Sequence, residues 1–172
     1  TNDDGFRAPG IQQLADGLAS RGHEVTICAP ARQRSAISHA VTLHKPLRLK
    51  RAERMERENV RIYYISGTPA DSVMLGYFEL LPDADLVISG INGGPNLGED
   101  VIYSGTVGGA MEGALLGVRS MAVSLSQYDG EDYSLAVEFC AGLAEQFMKS
   151  DLPAKTLLNV NVPPVAPDQY KG

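Results

Sequence analysis

The chain has 172 residues, of which 44% are hydrophobic, 21% charged and 6% aromatic, and its formal net charge at pH 7 is −6. This is the composition of an ordinary globular domain, and it excludes disordered, collagen-like and coiled-coil chains. Because affinity for duplex nucleic acid comes largely from neutralised phosphates, the negative charge argues against such a partner.

The cysteine spacing and the hydropathy of the sequence exclude further classes of protein. Cys28 and Cys140 are far apart and belong to no CxxC or Cys/His pattern, which excludes a disulfide framework and a cysteine zinc site. No apolar run approaches the roughly 20 residues of a membrane span. We therefore expect a cytoplasmic protein with no membrane partner.

Hydrophobic periodicity predicts strands and helices that alternate along the chain. In chain order, it predicts a helix over 11–21, a strand over 23–30, an edge strand or hairpin arm over 41–49, a strand over 60–66, a helix over 67–81, a strand over 86–90, a helix over 107–115, a strand over 121–126, a helix over 132–148 and a strand over 156–163.

This alternation predicts a single α/β domain over residues 1–172, with a Rossmann-like three-layer α/β/α arrangement, a mostly parallel sheet and a β-hairpin. A sheet of this kind calls for a strand before Asn2. We therefore expect the chain to be an excerpt that lacks its opening strand.

The helix over 67–81 has a well-defined start. Thr68 is suited to cap the helix, Pro69 to occupy its first position, and Asp71 to face the positive end of the helix dipole.

Ligands of open α/β sheets gather outside the carboxyl ends of the strands. Applied to the predicted strands, this rule selects residues 2–5, 32–38, 67–71 and 90–106.

The adjacent carboxylates of Asp3 and Asp4 stand out in the first of these segments. Two carboxylates held together at a strand end repel each other unless a cation or a proton lies between them. A hard divalent cation such as Mg²⁺ or Mn²⁺ would relieve the repulsion. The alternative is a solvated Asx turn, for which the same residues are well suited.

The sequence GINGGPNLG over 90–98 offers amide groups after another buried strand. Pro95 lacks an N–H, and the pattern differs from GxGxxG, so phosphate cradling by this segment alone is not expected. Asn92 and Asn96 can complete a metal shell or hold a leaving group. The alternative is a tight turn that needs glycine.

The residues Ser104, Gly105 and Thr106 precede a predicted helix. Hydroxyls and free N–H groups at a helix start form a site for phosphate. The alternative is simple N-capping.

The loop over 31–40 carries Arg32, Arg34, Ser35 and His39. The two guanidinium groups can attract an anion, Ser35 can bind a metal or a phosphate, and His39 can serve as an acid or an anion contact. The alternative is a solvated basic loop.

Four segments together resemble the SurE family of survival-protein-E phosphatases. They are NDDGFRAPGI over 2–11, APARQRSAIS over 29–38, SGTPADSV over 66–73 and SGINGGPNLGEDVIYSGTVGGAMEG over 89–113. The resemblance implies a metal-dependent phosphomonoesterase with a Rossmann-like core. It also implies hydrolysis of nucleoside 5′- and 3′-monophosphates, with short polyphosphate as a further substrate of some members.

The resemblance also assigns site residues. It implies that Asp3, Asp4, Ser35 and Asn92 hold one divalent ion, Mg²⁺ or Mn²⁺. Asn96 and the segment Ser104, Gly105 and Thr106 match positions that line the phosphate site. Family members form dimers or tetramers by exchanging a carboxyl-terminal extension, which we expect to be missing from this chain.

The residue patterns and the resemblance agree on one arrangement, in which Asp3, Asp4, Ser35 and Asn92 hold a divalent ion at the carboxyl edge of the sheet. The resemblance implies that this arrangement is the site of a nucleotidase, and we expect Asp3, Asp4 and Asn96 to be its catalytic residues. An aspartate would orient or deprotonate the attacking water, and Asn96 would assist the leaving oxygen. Because the pattern is DD and not DxDxT, we expect water as the nucleophile and not an aspartate. The alternative is a non-catalytic nucleotide-binding module on the same fold.

Overall fold

A computed structural model describes residues 1–128, 132–165 and 169. The helices are α1 (Pro9–Ser20), α2 (Pro69–Leu75), α3 (Asp100–Tyr103), α4 (Gly105–Leu115) and α5 (Ser134–Met148), and the strands are β1 (Val25–Pro30), β2 (Leu49–Arg51), β3 (Val60–Ile65), β4 (Leu86–Gly93), β5 (Arg119–Leu125) and β6 (Leu157–Val162). A π-helical turn at Gly76–Leu80 continues α2, and a 3₁₀ turn at Glu53–Met55 follows β2.

The strands form two sheets of three, in the orders β1-β3-β2 and β4-β5-β6. All pairs are parallel except β2 with β3, which form the hairpin. Helices α1 and α5 contact each other and one face of the strands, and α2 and α4 contact each other and the opposite face. This confirms the predicted three-layer α/β/α arrangement.

The first residues of the chain lie between β1 and β4. The Thr1 amino group donates to Ile88 O at 2.9 Å, and Gly90 N donates to Thr1 O at 2.9 Å. On the other side, Phe6 N donates to Pro30 O at 3.0 Å. Residues 2–5 therefore turn at the carboxyl edge where the two sheets meet.

Buried apolar side chains fix the strands from the face that α1 and α5 cover. One cluster joins α5 to β4 and β5, with Ile91, Met121, Val123 and Phe147 among its members. A second cluster joins α1 to β1 and β3. Full burial of a side chain of this size contributes about 2 kcal/mol, so the carboxyl ends of the strands are held on a rigid base. Cys28 and Cys140 are both buried as free thiols.

The prediction of a strand or hairpin arm over 41–49 is wrong. The hairpin strand begins at Leu49, where it pairs with Ile65. Thr42 instead donates from its N–H and its hydroxyl to the Asp71 carboxylate, at 2.9 and 2.6 Å. These side-chain bonds take the place of a backbone ladder, and Pro46 has no N–H to offer one.

The glycine-rich segment after β4 differs in detail from the predicted loop. The strand continues to Gly93, and the short helix α3 lies inside the segment. A cis peptide joins Gly90 to Ile91. Gly90 has a φ of +141°, and a Cβ there would lie 2.3 Å from Val123 O, so only glycine fits. The pairing of β4 with β5 shifts here and resumes at Asn92 with Ser124.

The predicted start of α2 is confirmed. Asp71 N donates to the Thr68 hydroxyl at 3.1 Å, and Thr68 N donates to the Asp71 carboxylate at 2.9 Å. This reciprocal capping box leaves Pro69 at the start of the helix. Within the described ranges, no helix is both long and apolar enough to cross a bilayer.

Candidate active site

Asp3 is anchored to the start of α4. The Thr106 hydroxyl donates to Asp3 Oδ1 at 2.6 Å, and the Thr106 N–H also donates to this carboxylate. A Cβ at Gly105 would lie 3.0 Å from Asp3 Cβ, so glycine permits the close approach. Asp3 is 6% exposed. The carboxylate is therefore buried in a fixed position.

Asp4 faces the end of β4. Its carboxylate accepts a hydrogen bond from Gly93 N–H. The Tyr133 hydroxyl lies near the same place, 3.0 Å from where a Cβ on Gly93 would be. The Asp4 charge contributes to a raised pKa of Tyr133, after burial as the larger cause. Asp4 thus connects the amino-terminal turn to β4 and to the region before α5.

The two carboxylates disfavour each other's ionised form. Burial raises the pKa of Asp3, although the Thr106 bonds oppose the shift. Burial and then repulsion from Asp3 raise the pKa of Asp4 to about 6. A cation placed between the two carboxylates would offset both effects.

Asn92 carries a neutral amide oxygen and lies on β4, one residue before the Gly93 N–H that bonds to Asp4. Its side-chain N–H donates to Gly94 O at 2.8 Å, which orients the amide and directs Oδ1 away from that carbonyl. Carboxylate and amide oxygens together suit a hard divalent cation. Among the described residues, no three His, Cys, Asp or Glu side chains gather closely enough to hold a metal, so a site here depends on neutral oxygens as well as on the two aspartates.

Ser35 lies beside this group of residues, on an exposed loop. Arg34 N donates to Asp3 O at 2.6 Å, which brings the backbone of the loop against the turn of residues 2–5. The Ser35 side chain is exposed and accepts a bond from Gln33 at 2.9 Å. The structure therefore brings the Ser35 backbone close to Asp3 but does not join its hydroxyl to Asp4 or Asn92.

Asn96 is buried and belongs to an amide network that reaches the surface at Asn159. Its side-chain N–H donates to the Ser124 hydroxyl at 2.8 Å, and its backbone N–H donates to Asn161 Oδ1 at 2.8 Å. Its carbonyl accepts from Asn159 at 2.9 Å and from Asn161 at 3.2 Å. Asn96 therefore fixes the glycine-rich segment to the ends of β5 and β6, and its predicted role at the leaving oxygen stays a prediction.

The segment Ser104 to Thr106 begins α4 at the same edge. The Ser104 hydroxyl accepts from Val107 N at 3.1 Å as an N-cap, and its own O–H remains a donor. The Thr106 hydroxyl is already bonded to Asp3. The Gly105 N–H therefore remains the better candidate for phosphate, and direct phosphate binding by these side chains stays a prediction.

Sequence analysis missed Tyr133 and the asparagines of β6. Tyr133 lies far along the chain from Asp4, and no local pattern marks the contact. Asn159 and Asn161 had a signal, because polar residues at the end of a buried strand lie at the ligand-binding edge.

Comparisons with known proteins show which family this chain resembles. The family model described as "Survival protein SurE" matches residues 1–172. The chain is 48% identical to 5′-nucleotidase SurE of Synechococcus elongatus, over 100% of this chain and 67% of that protein. It is 49% identical to 5′-nucleotidase SurE of Caldanaerobacter subterraneus subsp. tengcongensis, over 95% of this chain and 64% of that protein.

A solved structure is also similar. The crystal structure of the SurE protein from Aquifex aeolicus matches with a TM-score of 0.84 and 39% identity, over 98% of this chain and 66% of that one. The chain thus spans about two thirds of the length of these relatives.

Proposed function

Because this chain belongs to the survival protein SurE family, we propose that it is a metal-dependent nucleotidase that hydrolyses nucleoside 5′- and 3′-monophosphates to nucleoside and phosphate. The relatives named 5′-nucleotidase SurE support the activity. The observation that carries the proposal is the meeting of Asp3, Asp4 and Asn92 with the start of α4 at one sheet edge.

In the proposed site, Asp3, Asp4, Ser35 and Asn92 would hold one Mg²⁺ or Mn²⁺. The fit rests on the donor chemistry, because two carboxylates whose ionised forms burial disfavours lie at the same sheet edge as an oriented amide group. When bound, a divalent cation supplies positive charge for a phosphate oxygen and acidity to a coordinated water.

The chain's own residues perform the remaining tasks. Thr106 fixes the orientation of Asp3 through two hydrogen bonds. Asp4 accepts from Gly93 and keeps acceptor capacity with which to orient a water or take its proton. The N–H group of Gly105 and the Ser104 hydroxyl lie where they can stabilise charge on the non-bridging phosphate oxygens. Asn96 holds the glycine-rich segment against β5 and β6 through its bonds to Ser124 and Asn161.

The test is hydrolysis of a panel of nucleoside 5′- and 3′-monophosphates and of short polyphosphate, with chelator and after addition of Mg²⁺ or Mn²⁺. We expect metal-dependent release of phosphate from the monophosphates. We expect Asp3→Asn to abolish turnover and Asp83→Asn to leave it unchanged, because Asp83 is exposed and precedes the opposite end of β4. Metal-dependent hydrolysis by Asp3→Asn at the normal rate contradicts the proposal.

The second candidate is a non-catalytic nucleotide-binding module. Paired carboxylates without a cation would repel a phosphate, so the Asp3 and Asp4 geometry favours the enzyme. Tight binding of AMP without turnover in any metal would reverse this preference.

The assembly and the cellular location are further parts of the proposal. We propose a homodimer or homotetramer in the cytoplasm. Sedimentation of the full-length protein tests the first, and cell fractionation tests the second. A monomer over the whole accessible concentration range, or recovery outside the cytoplasm, contradicts the respective part.

A further inference from the structure

The loop that carries Ser35 is exposed, yet it is held at several points. At its start, Ala31 N donates to Ile65 O at 2.8 Å, and Arg34 N donates to Asp3 O at 2.6 Å. Ser38 N donates to Tyr103 O at 2.8 Å, and the Ser38 hydroxyl donates to Ile102 O at 2.7 Å. The loop therefore lies against α3 and the beginning of α4.

The surface of α4 is shaped to receive this loop. A Cβ at Gly108 would lie 2.5 Å from Ser38 O and 3.0 Å from His39 Cα, and a Cβ at Gly105 would lie 2.9 Å from Ile37 Cγ2. Contacts under 3.0 Å are too short for real Cβ atoms, so side chains at these helix positions would push the loop outward. Because glycine has no side chain, the backbone of the loop can lie directly on the helix.

One side-chain contact joins the loop to α4. His39 Nε2 lies 2.7 Å from Glu112 Oε2. The Glu112 side chain is 12% exposed and the His39 side chain 29% exposed, so the pair is largely shielded from water. The same helix that holds Asp3 through Thr106 thus holds the Ser35 loop through Glu112.

We infer that Glu112 is a positioning residue which, through His39, keeps the Ser35 loop close enough to Asp3 for Ser35 to serve the metal site. The inference rests on the proposed function, because it takes Ser35 as a metal ligand. Substitution of a residue that orients a metal ligand from outside the coordination shell typically changes metal affinity by about 10–100-fold. Here one helix sets the positions of two of the four proposed ligands.

The test measures Mn²⁺ affinity by electron paramagnetic resonance, with no substrate present, in Glu112→Ala, Ser35→Ala and the double variant. We expect a loss of about tenfold for Glu112→Ala and no further loss when it is added to Ser35→Ala, because the two act in series. Glu145→Ala is the matched control, since it removes a similar contact with His23 and Arg21 far from the loop. It should leave Mn²⁺ affinity unchanged.

A second variant keeps the inference testable if Glu112→Ala folds poorly. His39→Ala removes the same contact from the loop side and should give the same loss, and His39→Gln, which keeps a side-chain N–H donor, should restore most of the affinity. Unchanged Mn²⁺ affinity in folded Glu112→Ala and His39→Ala overturns the inference. Additive losses in the double variant also overturn it. Unchanged affinity in Ser35→Ala instead removes Ser35 from the metal set, which refutes the premise and the inference with it.

Discussion

The two segments that flank Asp3 and Asp4 are built in different ways. On the β4 side, Asn92 and Asn96 belong to a strand end and an amide network that reaches β5 and β6. On the β1 side, Ser35 lies on an exposed loop that a few side-chain bonds hold against α3 and α4.

This difference predicts two kinds of response to mutation. On the β4 side, a change leaves buried polar groups without partners, so it should affect stability and chemistry together. On the β1 side, a change can move one ligand while the core stays intact.

Asn92→Ala removes a proposed metal ligand from the rigid side. We expect a loss of about 100-fold in Mn²⁺ affinity, because β4 cannot shift another oxygen into its place. Titration calorimetry of the folded variant measures the effect, and an affinity within twofold of the original would remove Asn92 from the site.

Asn161→Ala leaves the buried Asn96 N–H without its acceptor and removes one donor to the Asn96 carbonyl. We expect a destabilisation of about 2 kcal/mol, which lowers the melting temperature by about 4–8 °C. Asn159→Ala is the comparison, because it removes only one donor to the same carbonyl and should cost less. Equal losses from the two variants, measured by thermal unfolding, would contradict the network as described.

Ser35→Ala on the exposed loop should behave in the opposite way. We expect about tenfold weaker Mn²⁺ binding with an unchanged melting temperature, since the Ser35 hydroxyl accepts only an exposed bond from Gln33. A clear loss of stability would mean that the loop is part of the folding core, and the contrast between the two sides would disappear.

Asp4→Asn should stabilise the protein when a chelator removes metal. The pKa of Asp4 rises from 3.8 to about 6 in the fold, so the folded state binds the proton more tightly than the unfolded chain does. The ionised Asp4 carboxylate therefore destabilises the metal-free fold above about pH 6. This destabilisation decreases as the pH falls toward 3.8, because Asp4 becomes protonated in the folded state.

The expected gain of Asp4→Asn at about pH 8 is 2–4 °C in melting temperature, which corresponds to about 1 kcal/mol once solvent screening is allowed for. At about pH 4 the gain should be small, because Asp4 is protonated in the parent protein as well. A gain of the same size at both pH values would point to packing, not to charge.

Much of the fold was predictable because its signals are local. Neighbouring residues determine the alternation of strands and helices, the continuous apolar runs such as the one in β4, and the helix cap at Thr68 and Asp71. The wrong assignment over 41–49 has a non-local cause. Thr42 bonds to Asp71, 29 positions away, and periodicity contains no information about such a partner.

The candidate site likewise contains residues that local sequence signals predict and contacts that they do not. Asp3, Asp4 and Asn92 were predictable because the sequence pattern places each at the carboxyl end of an expected strand, where ligands of parallel sheets gather. The bond from Thr106 to Asp3 and the pairing of His39 with Glu112 join residues 103 and 73 positions apart. Only the folded chain reveals that a side chain predicted to bind phosphate is bonded to an aspartate.

The most direct test of the account is anomalous diffraction from a crystal of this chain soaked in Mn²⁺. The account predicts one strong peak at the carboxyl edge between β1 and β4, in contact with oxygens of both Asp3 and Asp4 and of Asn92. A fully occupied peak elsewhere, with Asp3 still bonded to Thr106 and no density between the two aspartates, would contradict it.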